Sequence, residues 1–372
     1  MQVVDHLVVG GGVMGSAAAW HLADRGRDVL LLERFAPGHV FGASHGASRI
    51  YRQTYDRPEY LDLAAEALEL WRSFPGVLTL TGGVSHGEPS PGVLDAFVAR
   101  GVPHELLTPE AAHERWPGLR FEGTVLHETQ TAGRLHADRA VESLQAAAAS
   151  LGADVRHGVQ VLSVTPSADG VLVETSVGAW RARSVVLAAG AWTSTLLGAE
   201  APPLVVTQEQ PAHFDLRSGT PDDWPSFTHR PLGEHPWPSG TYGLGTPGEG
   251  IKVGFHAVGP VTDPDHRTFT AEPAQLALLQ EYAAQWLPGV DPTVPHPISC
   301  TYTTTPDHDF VLDRRGPLVV AAGFSGHGFK FAPAIGRVLA DLAEESTDDP
   351  DGAASASHPA FHQSRPALQE NR

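Results

Sequence analysis

Residues 3–9, VVDHLVV, run straight into GGGVMG, which sets Gly10, Gly12 and Gly15 in GxGxxG spacing. The apolar residues read as a short buried strand. Residues 16–25, SAAAWHLADR, carry helical periodicity and stop at Gly26. A second apolar run, 29–32, is closed by Glu33. Strands joined through a crossover helix run parallel, so this short stretch constrains the architecture of everything that pairs with it. Each glycine has its own task. Gly10 permits the tight turn, Gly12 lets the backbone approach a pyrophosphate, and Gly15 lets helix and strand pack closely. The helix N-terminus offers N–H groups and a positive dipole end to phosphate. Glu33, 18 residues after Gly15, is placed to accept hydrogen bonds from an adenosine ribose and would repel a 2′-phosphate. The pattern predicts a dinucleotide site and leaves NAD and FAD open.

Other segments return to the same unit. Residues 182–190 (ARSVVLAAG) and 318–323 (LVVAAG) read as parallel strands ending in glycine, and 333–345 (PAIGRVLADLAEE) as an amphipathic helix with proline near its start. The nucleotide unit is therefore expected to be discontinuous: 1–83, 134–205 and 297–346. Residues 84–133 and 206–296 are expected to form a second, substrate-carrying unit, with 347–372 as a C-terminal tail. The second unit has strand-like runs at 212–215 and 251–255 and a helical segment at 274–286. The expected class is α/β plus α+β: a Rossmann-like unit with a mixed or antiparallel-sheet unit. Residues 347–358 (TDDPDGAASASH) are acidic, small and polar, and read as mobile.

Composition narrows the function. A net charge of −18 argues against a nucleic-acid partner, whose binders are basic. No apolar run reaches the ~18 residues of a membrane span, and the N-terminus lacks the basic flank of a signal peptide. The single cysteine, Cys300, precludes an internal disulfide and fits a cytoplasmic protein. The 20 histidines include no HExxH or paired-cysteine spacing, so no metal is expected. Of 25 Lys and Arg residues only Lys252 and Lys330 are lysine, both in Gly- and Phe-rich segments. That scarcity points to sites where a compact, titratable ammonium is needed and a planar guanidinium would not serve.

These motifs, with GASHGASRIYR, RWPGL, LAAGAW, GIKVGFH, SCTYTTTPDHDFVLD, AAGFSGHGFKF and SRPAL, make the chain similar to the monomeric sarcosine oxidase and N-methyltryptophan oxidase family, nearly end to end. The resemblance implies FAD, linked covalently from its 8α-methyl group to the Cys300 sulfur, with Gly326 and Gly328 also at the cofactor. It implies an oxidase using O2, with Lys252 as the oxygen-activating cation and Arg49 and His45 supplying a positive field beside the flavin ring. Lys330 and Arg52 match the pair that holds a substrate carboxylate; Tyr242, His256, Tyr302 and His327 match pocket-lining positions. The activity implied is oxidative demethylation of an N-methyl amino acid, sarcosine by default, by a monomer whose partners are a small amine and O2.

Two segments depart from the family pattern. LVVTQEQPAHF carries Gln208, Glu209 and Gln210 and no arginine, where relatives tend to carry an Arg-Gln pair. PSFTHRP, around Thr228, is polar where small-substrate members are apolar. A bulkier N-methyl or cyclic secondary amino acid therefore stays open as substrate, as does a dehydrogenase that passes electrons to a carrier.

Overall fold

The computed structural model describes residues 2–167, 170–345 and 358–369. The chain divides into two compact units: Met1–His45, Asp138–Val206 and Thr301–Arg372 in the first, Gly46–Ala137 and Thr207–Cys300 in the second.

The first unit is built on β1 (Gln2–Val9), α1 (Val13–Asp24) and β2 (Val29–Leu32). β1 pairs in parallel with β2 on one side and with the strand Gly178–Leu187 on the other. Parallel pairing continues from β2 to Asp154–Arg156, and from Val185–Leu187 to the strand Leu318–Ala322. The long strand Gly178–Leu187 also serves a second neighbour: its first half pairs antiparallel with Gly170–Thr175. Every residue of β2 and of Leu318–Ala322 is buried, which is why these strands read as unbroken apolar runs. α1 begins at Val13, three residues before the expected start, because Val13 and Met14 are themselves buried. It packs on the helix Ala332–Glu344, where a Cβ at Gly336 would lie 2.6 Å from the Ala17 Cβ; only a glycine admits this approach.

The expected tail is not one throughout. Residues 347–357 lie outside the described residues, but Phe361 and Leu368 are buried and Arg365 is bonded to Asp307. The terminal apolar residues are thus part of the first unit's packing.

The second unit carries an eight-stranded sheet in the order His296–Pro297, Ala212–Phe214, Gly250–Phe255, Thr241–Thr246, Ser226–Arg230, Gly83–Gly87, Val125–Glu128, His104–Leu107. Its pairs are antiparallel except Ser226–Arg230 with Gly83–Gly87. Alternation divides the two faces. Phe214, Phe227, Ile251, Val253 and Phe255 join one apolar cluster with Leu279, Tyr282 and Ala283 of the helix Pro273–Trp286. The residues between them, including Lys252, turn to the other face. Residues 46–83, expected with the nucleotide unit, belong by contacts to the second: the strands Arg49–Tyr51 and Leu78–Thr79 flank Gly133–Leu135 in a small sheet.

Candidate active site

In the first unit, β1, β2 and Gly178–Leu187 end on the same side of the sheet, as parallel strands must. Gly10 lies there at φ +101°, and a Cβ on it would meet the Ala188 carbonyl oxygen at 2.4 Å. Gly12 is the N-cap of α1 and supplies no side-chain cap. Ser44 instead accepts from the Val13 N–H at 3.1 Å. A Cβ at Gly15 would lie 1.9 Å from the Gly10 carbonyl oxygen, so the helix can seat against the turn only with glycine there. Glu33 is 6% exposed at the end of β2 and accepts from the N–H groups of Gly11, at 2.6 Å, and Phe35, at 2.9 Å. A side-chain-free turn, a helix N-terminus without its own cap and a fixed carboxylate at the next strand end fit the phosphates and ribose of a dinucleotide.

Further first-unit candidates are ordered by glycine contacts. A Cβ at Gly326 would lie 2.1 Å from the Tyr302 ring, and one at Gly328 would lie 2.7 Å from Phe324. Tyr302 is therefore pressed against the GFSGHGF turn. Lys330 is buried; its Nζ donates to the His327 carbonyl at 2.5 Å and stands over the Phe331 ring. The His327 ring pairs with the His308 carbonyl oxygen at 3.1 Å and packs on Phe310. His45 is buried as well.

The second unit gathers Arg49, Lys252 and Cys300. Lys252 sits on a central strand, 5% exposed, and its Nζ donates to the Ser48 carbonyl at 3.2 Å. Arg49 Nη1 donates to the same oxygen at 2.8 Å, while its Nη2 lies 3.8 Å from the Cys300 sulfur. Burial first, and then Arg49, lower the Lys252 ammonium to about 7, against the pull of Cys300 and Glu249. His213 pairs in register with Lys252 on the neighbouring strand. Burial first, then Lys252, His296 and Arg49, bring its imidazole down to about 3, so it stays neutral.

Arg52 donates to the Thr54 carbonyl at 2.7 Å, lies over the Tyr55 ring, and borders a pocket together with Ser85 and Thr228. Tyr242 lies over Gly254, where a Cβ would come 2.6 Å from its hydroxyl. His256 is exposed at the end of the Gly250–Phe255 strand. Gln208, Glu209 and Gln210 hold backbone rather than a ligand: they bond to Thr270, to Val258 and Gly259, and to Glu272 respectively.

Four residues of this unit escaped the sequence reading: His213, Ser85, Arg267 and Glu128. Arg267 is buried over the Phe269 ring at 4.0 Å and interacts electrostatically with Cys300. The Glu128 carboxylate accepts from the Gln53 N–H at 3.0 Å, from Thr54 Oγ1 at 3.2 Å and from Thr131 Oγ1 at 2.8 Å. Burial raises the Glu128 carboxyl above the usual range despite these bonds. None of the four lies in a distinctive motif. Among the described residues no group of three or more His, Cys, Asp and Glu is arranged to hold a metal, and no helix is long and apolar enough to cross a membrane.

The parallel sheet, the glycine turn and the carboxylate at the next strand end define a dinucleotide-binding α/β protein. Residues 5–342 match the family described as FAD dependent oxidoreductase, and the chain belongs to that family of enzymes. It is 33% identical to monomeric sarcosine oxidase of Streptomyces avermitilis, over 92% of this chain and 94% of that protein. It is 29% identical to N-methyl-L-tryptophan oxidase of Salmonella arizonae, over 92% and 95%. Among solved structures it resembles the open form of NikD, an unusual amino acid oxidase essential for nikkomycin biosynthesis. That match has a TM-score of 0.82 at 27% identity, covering 97% of this chain and 98% of the other.

Proposed function

We propose that the chain is an FAD-dependent oxidase of a secondary amine. It would convert an N-methyl amino acid, O2 and water to the primary amino acid, formaldehyde and H2O2. The observation that carries this reading is the buried Lys252, set beside Arg49 and Cys300 in a chain of this family. Bound FAD supplies the two-electron acceptor. Gly10, Gly12, Gly15 and Glu33 would serve its pyrophosphate and ribose, the turn holding Gly326 and Gly328 would lie at it, and Cys300 would carry it through a thioether.

The remaining roles follow from charge. Lys330 and Arg52 hold the substrate carboxylate, which fixes the N–CH3 group and lowers the basicity of the amine. The neutral amine is needed because an ammonium has no lone pair to assist oxidation. Tyr242, His256, Tyr302 and His327 wall the substrate, and hydrolysis of the product imine releases formaldehyde. Arg49 and His45 contribute positive charge at the redox centre. Lys252 stabilises negative charge as O2 is reduced, a task suited to a compact ammonium in a dry site. We assign the enzyme to the cytoplasm as a monomer.

The test is acid precipitation of the purified yellow protein, followed by an amine panel with H2O2 detection. Flavin in the pellet, released to the supernatant in Cys300→Ser, supports the covalent link; free flavin in the wild type removes Cys300 from that role. Amine oxidation without H2O2 would replace the oxidase with a dehydrogenase.

A further inference from the structure

We infer that a cross-strand row of side chains, His296, His213 and Lys252, carries protons from the edge of the second unit's sheet to the buried lysine, with His213 as the relay. This inference rests on the oxidase reading above and names how Lys252 is recharged in it. The strands His296–Pro297, Ala212–Phe214 and Gly250–Phe255 lie side by side at one edge of the eight-stranded sheet. His296 stands opposite His213, and His213 opposite Lys252, both in antiparallel register. Opposed residues in such pairs share a face, with Cβ atoms about 5 Å apart. Ala212, Phe214, Ile251 and Val253, which alternate with His213 and Lys252, are all 0% exposed and fill the apolar cluster on the opposite face. Exposure falls steeply along the row: the His296 side chain is 54% exposed and the His213 side chain 5%, and Lys252 is buried.

A buried Lys252 needs such a route. O2 becomes H2O2 by gaining two electrons and two protons. Both electrons and one proton leave the reduced cofactor; the other proton leaves the Lys252 ammonium, an N–H bond breaking as an O–H bond forms. The neutral amine left behind must regain a proton from bulk water before it can act again. A neutral imidazole can pass one on, because one ring nitrogen carries a proton while the other keeps a lone pair. Burial first, then Lys252, His296 and Arg49, keep the His213 ring neutral. Glu249, whose side chain is 47% exposed, brings a carboxylate oxygen to 3.1 Å from the ring's Nε2 and links it to a water-facing acid. Nε2 is buried and makes no aligned hydrogen bond among the described residues. An apolar side chain would avoid that cost at a position used only for packing.

The test reduces the flavin-loaded enzyme with light and EDTA, without amine. Reoxidation by O2 is then followed in a stopped flow from about pH 6 to about pH 10, the range in which a buried lysine titrates. Wild type should reoxidise in one phase that slows as pH rises. His213→Leu, checked for an unchanged flavin spectrum, should split into two phases. Molecules that already hold a protonated Lys252 react at the wild-type rate; the rest wait for a proton and react roughly tenfold more slowly or worse. The slow share should grow with pH. A single phase at the wild-type rate, or a uniform slowing independent of pH, overturns the relay and spares the oxidase reading. If reduced wild type reacts with O2 no faster than free reduced flavin, both fail. A second readout needs no turnover. In the flavin-free chain the nitrogen NMR signals of the His213 ring should shift as Lys252 titrates, at about 7, and lose that response in Lys252→Met. A ring indifferent to Lys252 overturns the relay even if His213→Leu does not fold.

Discussion

Arg49 and Lys252 donate to one acceptor, the main-chain carbonyl of Ser48, at 2.8 and 3.2 Å. A single oxygen thus holds two cations at close quarters; burial first, and Arg49 after it, lower the lysine to about 7. In the unfolded chain a lysine titrates near ~10.4. The folded flavin-free chain therefore bears the full penalty of a buried charge below about 7 and is relieved of it as pH rises towards ~10.4. Lys252→Met should stabilise the flavin-free chain at pH 7, with an advantage that shrinks as pH approaches 10, in urea melts across that range. The same variant of the loaded enzyme should lose O2 reactivity by roughly 100-fold or more, read by stopped-flow reoxidation.

Gly15→Ala places its methyl group at the Gly10 carbonyl oxygen, a separation of 1.9 Å before relaxation. α1 must move off the turn or the turn must open. Flavin content per chain should fall severalfold, and stability by about 2 kcal/mol, the usual scale for overpacking.

Glu128 organises the segment that follows Arg52, through Gln53 and Thr54. Glu128→Leu leaves buried donors without an acceptor and should cost about 3 kcal/mol. Glu128→Gln keeps an acceptor oxygen and should cost less, with KM for the amine rising more than kcat falls. Burial raises the wild-type carboxyl above its unfolded value, so the folded chain holds the proton to higher pH. This group's contribution to stability declines as pH rises through that window, and a pH series should show the decline in wild type and not in Glu128→Gln.

Arg365 grips Asp307 at 2.6 and 2.9 Å and also donates to the carbonyls of Asp309 and Phe310. Burial pushes the Asp307 carboxyl up, but its bond to Arg365 outweighs this and holds it below the usual range. The stabilisation is present above the unfolded carboxyl's pKa and is lost as pH falls through the lower folded value. Arg365→Met should lower Tm by several degrees at pH 7, and the difference should narrow in acid.

The first unit's core was readable because its determinants are contiguous: the strand, the glycine turn, the helix and Glu33 lie within residues 2–33. The helix start was misplaced by three residues, since the burial of Val13 and Met14 depends on neighbours that local periodicity does not name. The terminal tail was misjudged for a related reason. Residues 347–372 were set apart from both units, but Phe361 and Leu368 find an apolar surface that only the folded unit presents.

The sequence by itself determined the nucleotide-binding unit and the family, because spacing along one chain segment sets turn geometry. The tertiary structure decided what surrounds those residues. Ser85 meets Thr228 across 143 positions, Gln53 meets Glu128 across 75, and Lys252 meets Ser48 across 204. Alternation says which face of a strand a residue takes, but not which strand lies beside it. That is set by pairing register and by the packing of the opposite face, and both exist only once the sheet has formed.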